Sequence, residues 1–107
     1  MSRGDVWLID LGRPAGRRPA IILTRQAVIP HVNKLTVAEV TSVGKGYPTE
    51  VAIGHQANLP KESYVQLDNI QTVSKIRFVK YHGRLDAPTM QAIGRTAILA
   101  LGLEDAV

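Results

Sequence analysis

Arg18 and Thr41 have the types and spacing for chemistry, since each lies at the end of an apolar run. The stretch that joins them begins Arg17-Arg-Pro-Ala-Ile-Ile-Leu-Thr-Arg25, continues through a polar connection, and ends Leu35-Thr-Val-Ala-Glu-Val-Thr41. A guanidinium fixed at the start of a buried strand, with a hydroxyl ending the neighbouring strand, suits a phosphate. The alternative for Arg18 is an ion pair with Asp10 or Glu39, and spacing alone does not choose between the two. Thr41 taken singly is better suited to bonding nearby backbone than to catalysis.

Other candidates are sparser. His31, His55 and His82 are the residues that titrate near neutral pH. All three fall in or beside predicted loops, at no spacing that makes a metal site. The chain has no cysteine, which removes disulfides, thiolate metal sites and cysteine nucleophiles. No phosphate-binding P-loop, dinucleotide fingerprint or Gly-x-Ser-x-Gly elbow is present, and no metal or cofactor is expected. Aromatic residues make up 5% of the chain, too few for an extended base-stacking platform. Tyr47, in a glycine-rich loop beside Lys45, is the best placed of them for a nucleotide.

The formal net charge of +4 favours anionic partners. Its distribution is more informative than its size. Arg3, Arg13, Arg17, Arg18 and Arg25 crowd the first quarter, opposed only by Asp5 and Asp10. Lys75, Arg77, Lys80 and Arg84 form a second group with no acid among them. No apolar run approaches the ~20 residues of a membrane span, and no secretory leader is visible. The expectation is a cytoplasmic protein folding as one domain over residues 1–107.

The elements that must position these groups are short strands and one helix. Gly4–Leu11, Ala20–Thr24, Leu35–Ser42, Thr49–Ile53, Tyr64–Leu67, Ile70–Val73 and Ile76–Tyr81 read as strands. Ala20–Thr24 is apolar without alternation, as expected for a strand buried on both faces. Gly12–Pro19, Gln26–Lys34, Gly44–Pro48 and His55–Ser63 read as loops. Met90, Ile93, Ala97, Ile98 and Leu101 then recur at helical spacing. Asp86 or Thr89 can cap that helix, Pro88 fits its first turn and Gly102 can end it. The fold expected is mainly β with a C-terminal helix, a small barrel-like antiparallel sheet.

The chain also resembles a known family. Arg3-Gly-Asp-Val-Trp-Leu-Ile-Asp-Leu11 is similar to the opening strand of the MazF/PemK toxins, and Gly16-Arg-Arg-Pro-Ala-Ile-Ile-Leu23 to their second. Val40-Thr-Ser42, Gly46-Tyr-Pro-Thr-Glu-Val51, Tyr64 to Val73 and a closing Gly-Arg-Leu before the helix follow in family order. The resemblance covers nearly the whole chain. It implies an SH3-like barrel of the MazF/PemK/CcdB type, working as a homodimer. It implies an endoribonuclease that needs no metal and cuts single-stranded RNA by attack of the substrate's own 2′-hydroxyl, leaving a 2′,3′-cyclic phosphate and a 5′-hydroxyl. The family's catalytic arginine and threonine map onto Arg18 and Thr41. RNA contacts are then expected at Arg17, Arg13, Lys45, Tyr47, Asn69, Lys75 and Arg77, with His31 a candidate acid or base. A cognate antitoxin, with an acidic disordered segment, is the implied protein partner.

Two departures stand out. Many members carry Gly-Ser-Glu-Gln in the first loop, where this chain has Gly12-Arg-Pro-Ala-Gly16, and many have Asp-Gln in place of Asp68-Asn69. Two other readings share the fold: a noncatalytic gyrase inhibitor resembling CcdB, and a degenerate module that only binds antitoxin. Arg18 and Thr41 together favour the nuclease.

Overall fold

The computed structural model describes residues 1–106. Six strands form one antiparallel sheet: β1 (Asp5–Asp10), β2 (Arg17–Ile22), β3 (Lys34–Thr41), β4 (Glu50–Gly54), β5 (Ser63–Ser74) and β6 (Phe78–Arg84). Their spatial order is β4-β5-β3-β2-β1-β6, and one helix, α1 (Ala87–Ala100), follows. The expected mainly-β fold with a C-terminal helix is the one observed.

Both faces of the sheet are covered, and this explains the apolar run in β2. Ile21 points into a core shared with Val6, Ala38, Val40, Val65, Leu67 and Ile93 of α1. Ala20 and Ile22 point the other way, into a core with Ile9, Leu35, Val37, Val73 and Ile29. Ile29 belongs to a 3-10 turn, Ile29–His31, inside the connection between β2 and β3. Fully burying Ile21, Ile22 or Ile93 contributes roughly 1.5–3 kcal/mol each. β2 and β3 are therefore the rigid centre of the sheet.

Edge strands β4 and β6 do not pair with each other, so the barrel is not hydrogen-bonded shut. A 3-10 turn, Gln56–Asn58, bridges the gap instead. Asn58 Nδ2 donates to the His82 carbonyl at 2.8 Å. A Cβ on Gly83 would lie 2.7 Å from Ala57 Cα, so the turn and β6 touch backbone to backbone.

Three local expectations need correction. Tyr64–Leu67 and Ile70–Val73 are not separate strands but parts of β5, interrupted by a bulge: Glu39 pairs with Gln66, while Ala38 pairs with Ile70. Leu67, Asp68 and Asn69 are the extra residues, and their odd number puts Gln66 and Gln71 on the same face. Second, Ile76 is 90% exposed and lies in a 3-10 turn, Lys75–Arg77, with β6 starting only at Phe78. Its alternation with Phe78 mimics a strand, but the chain is turning there. Third, Leu101, placed on the core face by its spacing, lies beyond the last helical residue and is exposed along with Leu99 and Leu103. Asp86 caps α1, accepting from the Thr89 N–H at 2.9 Å, and Pro88 occupies the first turn.

Candidate active site

The hairpin from β1 to β2 sets the position of Arg18. Gly12 and Gly16 both adopt φ of +74°, a conformation that glycine takes without a Cβ penalty. Leu11 N–H donates to Gly16 O at 2.9 Å, closing the loop tightly. Arg17 and Arg18 emerge from it onto β2, where Asp10 pairs with Arg17 and Ile9 with Arg18.

Thr41 arrives from the other side. Ala20 pairs with Glu39 as the last bridge between β2 and β3. Continuing that antiparallel register sets Pro19 against Val40 and Arg18 against Thr41. Pro19 has no N–H to extend the ladder, and the strands part here. A cleft of about 370 Å³ opens between them, lined by Arg17, Arg18, Pro19, Thr41 and Ser42, with Lys61 and Ser63 closing the far wall. The structure thus brings Arg17, Arg18 and Thr41 together.

Arg18 is held but not consumed. Its Nε donates to the Ala15 carbonyl at 3.2 Å, and a terminal nitrogen lies 3.8 Å from Glu39 Oε1. Its side chain is 51% exposed, so this ion pair is worth only about 0–1 kcal/mol and can yield to a phosphate. Of the two partners considered from sequence, Glu39 takes Arg18, while Asp10 lies 3.5 Å from Arg17. Thr41 Oγ1 accepts from the Val43 N–H at 3.1 Å, which leaves its own proton free to donate elsewhere.

Lys45, Tyr47 and Asn69 gather at a second, smaller pocket of about 150 Å³ that also includes Thr49, Glu50, Gln66 and Asp68. Glu50 organises it. Its carboxylate accepts from the Lys45 N–H at 2.9 Å, the Gly46 N–H at 3.0 Å and Gln66 Nε2 at 3.2 Å. The Lys45 N–H is the main reason its carboxyl titrates below the ordinary value. Partial desolvation opposes that shift, while Gln66, Gly46 and Tyr47 reinforce it. Asn69 Nδ2 donates to Gln66 Oε1 at 3.0 Å, and Thr49 Oγ1 donates to Asp68 at 2.6 Å.

The remaining expected contacts lie elsewhere. Arg77 sits beside the first loop, its guanidinium 3.7 Å from where a Cβ on Gly12 would be. Exposed Arg13 is on that same loop, so the two basic clusters meet across the β1–β6 pair. Lys75 Nζ donates to the Ile29 carbonyl and thereby ties down the 3-10 turn that carries His31. That turn lies next to the start of β3, whereas Thr41 is its last residue. An eight-residue strand puts those ends ~23 Å apart, too far for His31 to reach the cleft. Lys61 and Ser63 are cleft residues that sequence reasoning missed. Nothing in the polar loop around Pro60 marks them, because only the fold brings that loop to β2. Among the described residues no group of His, Asp or Glu is arranged to hold a metal ion, and no helix is long and apolar enough to cross a membrane.

Comparison with known proteins places this geometry in a family. Residues 2–101 match the model of the PemK-like, MazF-like toxins of type II toxin–antitoxin systems. Probable endoribonuclease MazF5 of Mycobacterium tuberculosis is 36% identical over 93 residues, covering 86% of this chain and 84% of the relative. Endoribonuclease MazF1 of Mycobacterium bovis is 34% identical over 101 residues, covering 94% and 92%. Among solved structures, an endoribonuclease in complex with its cognate antitoxin, from a mycobacterial species, superposes with a TM-score of 0.86 at 32% identity, covering 96% of each chain. The Mycobacterium tuberculosis toxin MazF-mt6 superposes with a TM-score of 0.84 at 31% identity, covering 92% of this chain and 96% of its own. With the match spanning nearly the whole chain, this protein belongs to the PemK-like, MazF-like toxin family of type II toxin–antitoxin systems.

Proposed function

We propose that this chain, an endoribonuclease of the MazF kind, cuts single-stranded RNA at the cleft between Arg18 and Thr41 without using a metal. The observation that carries the reading is the cross-strand placement of a half-exposed guanidinium and a hydroxyl at one opening. Attack by the 2′-oxygen on phosphorus builds negative charge on the equatorial oxygens. Arg18 stabilises that charge with a planar, always-protonated fork, Thr41 donates a hydrogen bond to the same oxygens, and Lys61 adds a second cation. The products are a 2′,3′-cyclic phosphate and a 5′-hydroxyl. The pocket of Lys45, Tyr47 and Asn69 offers donors, acceptors and one stacking ring to a neighbouring base. The ridge of Arg13, Arg17 and Arg77 carries the backbone.

The same basic surface suits an acidic antitoxin segment, so RNA and antitoxin compete for it. The solved relative bound to its cognate antitoxin supports that partner. The exposed Leu99, Leu101 and Leu103 give a second copy of the chain an apolar surface to cover, in keeping with a homodimer acting in the cytoplasm, where its RNA lies. The relatives' common designation as endoribonucleases favours cleavage over gyrase inhibition.

The test is incubation of the purified protein with mixed-sequence RNA in EDTA, followed by mapping of the new ends. Discrete cuts that vanish in Arg18→Ala and Thr41→Ala support the reading. An uncut pool from a folded protein rejects it.

A further inference from the structure

Cleavage by a 2′-hydroxyl needs a group to take its proton, and Arg18 cannot, because a guanidinium stays protonated above pH ~12. We propose that Glu39 is the general base, an assignment that rests on the nuclease reading above. Glu39 stands two residues before Thr41 on β3, so the two side chains share a face of the sheet. Across β2, Glu39 Oε1 lies 3.8 Å from the Arg18 guanidinium, beyond hydrogen-bond distance. Its other oxygen, Oε2, accepts from Gln71 Nε2 at 2.9 Å. The β5 bulge makes that contact possible, since it brings Gln71 round to the same face as Gln66. One oxygen is therefore pinned, and the other points toward Arg18 with no hydrogen bond from the described residues.

Asp10, Glu50 and Asp68 have other partners. Asp10 sits opposite Arg17 rather than Arg18, on the other face of the sheet, and accepts from the Gly12 N–H at 2.9 Å. Glu50 holds the 45–46 amides, and Asp68 holds Thr49. His31 is at the far end of β3. Glu39 is also mostly withdrawn from water, its side chain 19% exposed, which strengthens a proton transfer made there. Among the described residues, the charge paired with it is Arg18 on β2. From β5 it meets the neutral amides of Gln66 and Gln71, and on β3 the hydroxyl of Thr41. Glu50 of β4 lies beyond Gln66.

The step balances as follows. Glu39 Oε1 takes the 2′-hydroxyl proton as the O2′–P bond forms. The P–O5′ bond breaks with its electron pair on O5′, which takes a proton from a solvent water. Protonated Glu39 returns its proton to the resulting hydroxide. A carboxylate on the strand thus supplies what the short, basic first loop, Gly12 to Gly16, does not contain.

The test is single-turnover cleavage by wild type, Glu39→Gln and Glu39→Asp across pH, with Arg18→Ala as a control and melting curves to establish folding. Glu39→Gln is expected to lower the rate about 10²–10⁴-fold with KM within threefold, and to lose the limb that rises as a carboxylate ionises. Glu39→Asp keeps the carboxylate and is expected to keep that limb and recover at least about tenfold of the loss. The Glu39→Gln defect should persist on RNA with a 5′-bridging sulfur, whose leaving group needs no proton. A Glu39→Gln rate within threefold of wild type, an intact acid limb in that variant, or a defect confined to KM overturns the assignment. If Glu39→Gln fails to fold, the Glu39→Asp profile decides: loss of the limb in a folded Asp variant overturns it. Wild-type protein that leaves RNA uncut defeats the nuclease reading itself, and this inference with it.

Discussion

Arg18 combines three properties rarely held together: a fixed Nε, a weak ion pair and half its surface open to solvent. A phosphate can displace Glu39 from it at a cost of at most about 1 kcal/mol. Arg18→Lys keeps the charge but not the planar fork, so cleavage should fall at least about tenfold while thermal stability changes little. Parallel rate and melting measurements check this. Much at this scale was legible from sequence, because Arg18 and Thr41 flank apolar runs whose burial could be read directly. Glu39 was visible only as a possible ion partner, since its approach to Gln71 depends on a bulge in a strand 32 residues away. Lys61 and His31 show the same limit in opposite directions. A loop lysine reaches the cleft through tertiary packing, and a histidine between the two strands is carried to the wrong end of β3.

Strand periodicity located the sheet but not its irregularities, because a bulge or a 3-10 turn preserves local alternation while changing which way side chains point. The bulge at Leu67–Asn69 and the turn at Lys75–Arg77 were both hidden in this way. The closure at Gly83 was equally invisible, as it depends on a contact with Ala57. Gly83→Ala forces backbone apart, so it should destabilise the fold by about 1–3 kcal/mol, measured by urea denaturation. The 45–46 turn gives a pH prediction. Glu50 has its carboxyl depressed in the folded protein, chiefly by the Lys45 N–H. Its contribution is complete above the ordinary carboxylate range and is lost as pH falls through the depressed folded value. Protection factors of the Lys45 and Gly46 amides, taken relative to intrinsic exchange at each pH, should therefore fall on acidification, and Glu50→Gln should flatten that dependence.

The whole molecule is a rigid pair of central strands with the proposed cleft at one end and positive charge around it. The first loop, the start of β2 and the turn leading into β6 bring Arg13, Arg17 and Arg77 to one side, which sequence clustering suggested and the β1–β6 pairing explains. Backbone-tracking cations release counterions, so Arg17→Ala should weaken RNA binding about equally for all sequences. It should also reduce the slope of log affinity against log salt by about 0.7, read from titrations at several salt concentrations. The central claim is that the substrate's 2′-hydroxyl is the nucleophile at the Arg18–Thr41 cleft. Its most direct test is cleavage of a matched pair of oligonucleotides, one all RNA and one with a single deoxynucleotide on the 5′ side of the mapped cut. The account expects equal binding of both, cleavage of the RNA to a 2′,3′-cyclic phosphate, and no cut in the deoxy strand; cleavage of the deoxy strand at that position, or RNA products ending in a 5′-phosphate, would contradict it.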